Sequence, residues 1–177
     1  LGDINLMNIM VDIHNCKSYL IDTDSFQVGD FNCPVGSVAF TAPEIQNKNF
    51  NMFKRTINNE NFAVATLLFM IFHAGQSPYA FRGGTSPQEN IKQRNFTYPF
   101  RRHLTHLVPK GLWENMWNML DTTMKTAFFD CFTHDIRPSS TEWISILKDY
   151  YSEIEKGNCE NNELMNNSIK QIIKKIL

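Results

Sequence analysis

The reading turns on "LGDINLMNIMV", residues 1–11, and on "YLIDTD", residues 19–24, which follows closely. In the first stretch Asp3 and Asn8 stand five apart among apolar neighbours; in the second Asp22 and Asp24 flank Thr23. Carboxylates and side-chain amides present hard oxygen atoms, the donors that magnesium prefers. Each piece also has a plain alternative: an Asp and an Asn at this spacing make turns with local side-chain bonds, and "DTD" opens loops. Between them, "NIMVDIHNCKSYLID", residues 8–22, carries two β-prone runs around the polar "DIHN", the pattern of a hairpin.

The totals bound the rest. A chain of 177 residues suits a single domain, and 42% hydrophobic with 12% aromatic residues is globular rather than disordered. A net charge of −1 gives no reason to expect nucleic acid or an anionic membrane as partner. The cysteines Cys16, Cys33, Cys131 and Cys159 form no CxxC pair, so no zinc site or redox motif is indicated. Scattered thiols in a chain of this size suit a reducing compartment, and the expected location is cytoplasmic. No signal peptide or transmembrane segment is expected.

Downstream, "DSFQVGDFNCPVGSVAF", residues 24–40, has no helical period and reads as a long loop of the kind that often carries function. "TAPEIQ" reads as a helix start, with Thr41 as cap and Glu44 three residues on. Residues 62–74 are apolar all round and too short to span a membrane, which predicts a helix buried on nearly all sides. "SPQENIKQ" opens with Ser86 as cap, Pro87 in the first turn and Glu89 third. "GLWENMWNML" puts Leu112, Trp113, Met116, Trp117 and Leu120 on one face, and "TMKTAFFDCF" continues the period. Ser139 and Glu142 have capping-box spacing ahead of a helix that buries Trp143, Ile144, Leu147 and Ile154. The polar "EKGNCENNELMNN" precedes an amphipathic terminal helix with late lysines, which suits a helix folded back onto its own domain, the alternative being a surface for a membrane or a partner.

Taken in order, these segments resemble the protein kinases. "GDINLMNIMV" is similar to their catalytic loop, "LIDTD" to the metal-binding segment and "GSVAFTAPE" to the end of the activation segment. "ENFAVATLLFMIFHAGQSPY" resembles the central helix of the C-terminal lobe and its exit, and "DIRPSSTEW" the Arg-Pro that opens the last helix. The nearest likeness is to divergent bacterial-type kinase domains found with helix-hairpin-helix segments. The resemblance implies a mainly α fold with a small β-hairpin: a kinase-like C-terminal lobe over residues 1–150, then a linker and terminal helix over 151–177, with the N-terminal lobe absent. It implies ATP with magnesium (or manganese) as cofactors and phosphoryl transfer, Ser/Thr-type, by the full-length parent to a protein substrate that the sequence does not name.

By the same resemblance Asp3 is the catalytic carboxylate, Asn8 and Asp22 hold the metal, and Asn5 faces the nucleotide where many kinases carry a lysine. Asp24 is either a second ligand or a turn residue capping "SFQ". Glu44 is expected to pair with Arg137, the alternative being a capping box with Thr41. Glu60 stands where the central helix carries an Asp that bonds the catalytic-loop backbone. The departures are Gly2 in place of Arg, which removes a cation from the catalytic loop, and Thr23 and Asp24 in place of Phe and Gly. His103 and His106, beside Arg101 and Arg102, suit a solvated face better than a metal site. Cys33 has apolar neighbours and no sign of a reactive thiol. Two other readings stand beside the kinase: a pseudokinase-like interaction module, and an inactive truncated fragment. Without a Gly-rich loop and its lysine, this chain alone is expected to bind ATP–magnesium poorly.

Overall fold

The computed structural model describes residues 2–98 and 107–157. It is mainly helical, with one two-stranded antiparallel sheet at the start. Strands β1 (Ile9–Asp12) and β2 (Lys17–Leu20) pair in the register Ile9 to Leu20 and Asp12 to Lys17. The turn is closed by the Asp12 carboxylate, whose Oδ1 accepts from the amides of His14 and Asn15 at 3.0 and 3.1 Å. The hairpin expected from the alternating pattern is therefore present.

Among the described residues five helices follow: α1 (Ile57–Phe72), α2 (Pro87–Lys92), α3 (Trp113–Met119), α4 (Thr122–His134) and α5 (Ser140–Glu155). The loop between β2 and α1 is long and carries only short 3-10 turns and a two-residue bridge, Val28 to Phe31. The start signals at Ser86 and Ser139 act as their spacing predicts: Ser86 accepts from the Glu89 amide, and Ser139 and Glu142 make a reciprocal capping box. An unforeseen box starts α1, where Thr56 and Asn59 cap each other. Their Thr-x-x-Asn spacing differs from the usual box only in carrying Asn where Glu or Gln is common.

Phe69 sits at the middle of the core. Its ring lies against His73, Tyr98, Phe128 and Phe132, at centroid distances of 3.8 to 5.6 Å. Edge-to-face arrangements dominate, as the ring quadrupole favours, and each pair adds about 0.5–1.5 kcal/mol to its burial. Trp143 of α5 closes the far side against Phe128 at 5.0 Å.

Some expectations are corrected. The central helix begins at Ile57 rather than Phe62, because the cap at Thr56 precedes the apolar run. It is not enclosed all round: Phe62, Ala65 and Phe69 are fully buried, but Ile71 is 60% exposed. "TAPEIQ" does not start a helix under Thr41. It forms a 3-10 turn, Pro43–Ile45, after Ala42, and the Thr41 hydroxyl donates to the Ser37 carbonyl at 2.9 Å. The period running from "GLWENMWNML" into "TMKTAFFDCF" is split, because Asp121 caps a fresh helix by accepting from the Met124 amide. Ile144, expected to be buried, is exposed, and so is Leu112, which the spacing puts on the apolar face and which instead sits just ahead of α3. Helix α5 runs past residue 150 and buries Trp143 and Ile154, as its apolar pattern predicts. The expected terminal helix, Cys159, His103 and His106 lie outside the described residues.

Candidate active site

The opening loop is held from below by Ile4. This side chain is 5% exposed and packs with Phe40 and with Ala63 of α1. Such a peg fixes the residue before it, Asp3, which is half-buried. The next turn is built by Asn5, whose Oδ1 accepts from the amides of Met7 and Asn8 at 2.8 and 3.2 Å while its Nδ2 donates to the Asp3 carbonyl at 3.4 Å. Both ends of the Asn5 amide are thus engaged within its own loop, whereas the resemblance would face it toward nucleotide.

Asn8 folds back on Asp3. Its Nδ2 donates to the Asp3 carboxylate at 3.1 Å and to the Asp3 carbonyl at 3.0 Å. With the nitrogen turned inward, Asn8 Oδ1 is left without a described protein donor. The Asn8 carbonyl accepts from the Ile21 amide at 3.0 Å, which ties the exit of the hairpin to the loop. Asp22 follows at once, in the left-handed region at φ 56° and ψ 49°. A non-glycine residue there stores strain of order 1–3 kcal/mol, and such residues cluster at functional sites.

The electrostatics agree with crowding of negative charge. The Asp22 carboxyl is raised above its ordinary value, first by a hydrogen bond with Asp24, then by the charge of Asp24, with burial and Asp3 adding to it. Two carboxylates that repel one another, Asp22 and Asp24, therefore lie together at the exit of the hairpin, next to the Ile21 amide that bonds the Asn8 carbonyl. Among the described residues no group of three His, Cys, Asp or Glu side chains is arranged to hold a metal ion.

Glu44 and Arg137 meet as expected. Arg137 Nη1 and Nη2 donate to the two carboxylate oxygens at 2.7 and 2.8 Å. The arginine side chain is 1% exposed and the glutamate 39%. Asp135 joins from the other side at 2.8 Å and in turn receives Arg94 at 2.6 Å. Asn59 Nδ2 donates to Glu44 Oε1 at 2.6 Å, so the same carboxylate also locks the first turn of α1. Burial pulls the Glu44 carboxyl upward, but the Arg137 hydrogen bonds hold it below the usual carboxylate range.

Glu60 lies half-buried in the first turn of α1. A described contact from that region to the backbone of the opening loop comes from Arg55, just ahead of the helix: Nη1 donates to the Gly2 carbonyl and Nη2 to the Val35 carbonyl. Sequence reading missed Arg55, since a cation before a helix carries no signal of burial. It also missed Asp135 and Arg94, which belong to the ion-pair network only through the fold.

The chain is similar to the protein kinase YegI of Escherichia coli K12, at 30% identity over 169 residues, covering 88% of this chain and 26% of that protein. The YegI protein kinase of Escherichia coli O157:H7 is 31% identical over 160 residues, covering 82% of this chain and 24% of that protein. The chain therefore spans about a quarter of the length of the curated relatives it matches. No family model and no solved structure matches it. The similarity marks the chain as kinase-like in sequence. Among the described residues no helix is long and apolar enough to cross a membrane.

Proposed function

We propose that this chain is the C-terminal, catalytic-loop half of an ATP- and magnesium-dependent protein kinase that transfers phosphate to Ser or Thr. The observation that carries the reading is the grouping of Asp3, Asn8 and Asp22. Asn8 is bonded to Asp3, and the hairpin exit that leads to Asp22 is bonded to Asn8. A lobe supplied by residues outside this segment completes the nucleotide site in the full-length protein, which acts in the cytoplasm.

Phosphoryl transfer asks a protein chiefly for alignment and for neutralised charge. Magnesium held by Asn8 and Asp22, with Asp24 alongside, supplies the neutralisation; manganese has the same donor preference. Asp3 takes the proton from the acceptor hydroxyl, and the Asn8 amide and the Ile4 peg fix its direction. Asn5 shapes the loop and brings no positive charge, which favours slow transfer. The role of Glu60, bonding the loop backbone from α1, belongs to the same reading. The local use of Asn5 gives the pseudokinase-like alternative its support.

The test is ATP–magnesium binding and phosphotransfer by the full-length protein and its Asp22→Asn variant. The kinase reading expects magnesium-dependent nucleotide binding that weakens at least tenfold in the variant, and transfer that is lost. Binding of nucleotide without any transfer to protein, unchanged by the substitution, would support the interaction module instead.

A further inference from the structure

Arg55 is a buried guanidinium, 8% exposed, whose described hydrogen bonds all run from Nη1 and Nη2 to carbonyl oxygens of two separate loops. Its Nε is buried with no partner among the described residues. Burying a cation is costly unless its donors are matched, so a cation retained here has a specific task. The surroundings are shaped to admit it. Gly36 leaves it room: a Cβ there would lie 2.5 Å from Arg55 Nη2. The guanidinium carbon lies over the Phe50 ring, 4.2 Å from its centroid. Gln27 grips the Arg55 backbone from both sides, donating to its carbonyl at 2.9 Å and accepting from its amide at 2.7 Å.

The two carbonyls it holds are informative. Gly2 directly precedes Asp3, and Val35 closes the buried Cys33 corner of the long loop, where the Cys33 thiol donates to the same Val35 carbonyl at 3.2 Å. Gly2 itself has no room for a side chain, since a Cβ would come within 2.5 Å of Cys33 Cβ. The loop before Asp3 therefore has no anchor of its own at that position.

We propose that Arg55 is a positioning residue that clamps the Asp3 loop to the long loop at residues 33–36, so that the direction of the Asp3 carboxylate depends on it. This rests on the kinase reading for its effect on activity, but the clamp itself does not. Arg55 touches no substrate; it acts through the Gly2 and Val35 carbonyls. Lysine has one ammonium and cannot span both carbonyls in a fixed fork, so Arg55→Lys is not conservative here.

The experiment uses the full-length protein with Arg55→Lys and, separately, Gly36→Ala, which keeps the arginine but crowds Nη2. Amide hydrogen exchange is read over residues 2–5 and 33–37, with α1 and α4 as internal controls. Both variants should release the two loops together while the helices keep their protection. In transfer kinetics, kcat should fall about 10- to 100-fold with the ATP KM within about twofold, the signature of misplaced chemistry rather than lost binding. Release of only one loop, or equal loss of protection in α1 and α4, would overturn the clamp. Joint release with unchanged kcat would overturn the positioning role. If an Asp3→Asn control retains full transfer, the kinase reading fails, and the exchange data still decide the clamp on their own.

Discussion

Glu44 offers the sharpest handle on stability. In Glu44→Ala the bidentate bonds to Arg137 at 2.7 and 2.8 Å are lost, together with the Asn59 bond that locks the first turn of α1. Removing one member of a buried pair typically costs about 3–5 kcal/mol. Two features place this change lower. The Glu44 side chain is 39% exposed, and Arg137 keeps Asp135 at 2.8 Å and the Asn58 carbonyl at 3.0 Å. The expected loss is about 2–3 kcal/mol, or about 5–10 °C in Tm for a chain of this size. Arg137→Ala should cost about 3–5 kcal/mol, since it leaves Glu44 without its cation, leaves Asp135 with Arg94 alone, and removes the cation lying 5.3 Å from the Phe62 centroid. The double variant should lose at least about 1 kcal/mol less than the two losses added, because the sites are in contact. The assay is urea denaturation at constant m. Folding leaves the Glu44 and Asp135 carboxyls below their ordinary values and Arg137 above its own. The pair's contribution is therefore present above the unfolded carboxylate pKa and is lost as pH falls through the lower folded values. A cost for Glu44→Ala near 1 kcal/mol that adds simply to that of Arg137→Ala would refute the pair and restore a cap-sized role.

Two further expectations concern pH. Burial lowers the His73 imidazole from 6.5 to about 4, against the bond to the Phe69 carbonyl, so the folded state stays neutral where the unfolded chain takes a proton. Stability should fall by about 3 kcal/mol as pH drops through that window, and His73→Phe should flatten the decline measured by denaturation at several pH values. The Asp22 carboxyl is raised by Asp24, so a divalent cation must displace a proton where the carboxyl is still protonated. Calorimetry of the full-length protein in buffers of different ionisation heat should show magnesium affinity falling as pH drops through the raised Asp22 value, with proton release lost in Asp22→Asn.

Legibility in the sequence followed locality. The hairpin, the caps at Ser86 and Ser139, and the spacing of Asp3 and Asn8 depend on residues a few positions apart, and all were readable. The pair of Glu44 with Arg137 was readable only through the kinase resemblance, since 93 residues separate them. Arg55 was not legible, because its burial depends on Gly2, Gly36 and Phe50 arriving from three different stretches. The apolar run of α1 overstated its burial for a similar reason: composition reports an average, whereas Ile71 faces out on one side of the turn that buries Phe69. Asp121 broke a helical period that apolar spacing alone carried straight through.

The central claim is that "LGDINLMN" is a catalytic loop in which Asp3 accepts the acceptor's proton. The measurement that bears on it most directly is phosphotransfer by the full-length protein with Asp3→Asn, compared with wild type at saturating ATP–magnesium. An isosteric amide keeps a hydrogen-bonding group beside Asn8 but cannot take the proton, so kcat should fall at least about 100-fold with ATP binding retained. Wild-type turnover in that variant would contradict the role of Asp3 and the reading of the loop.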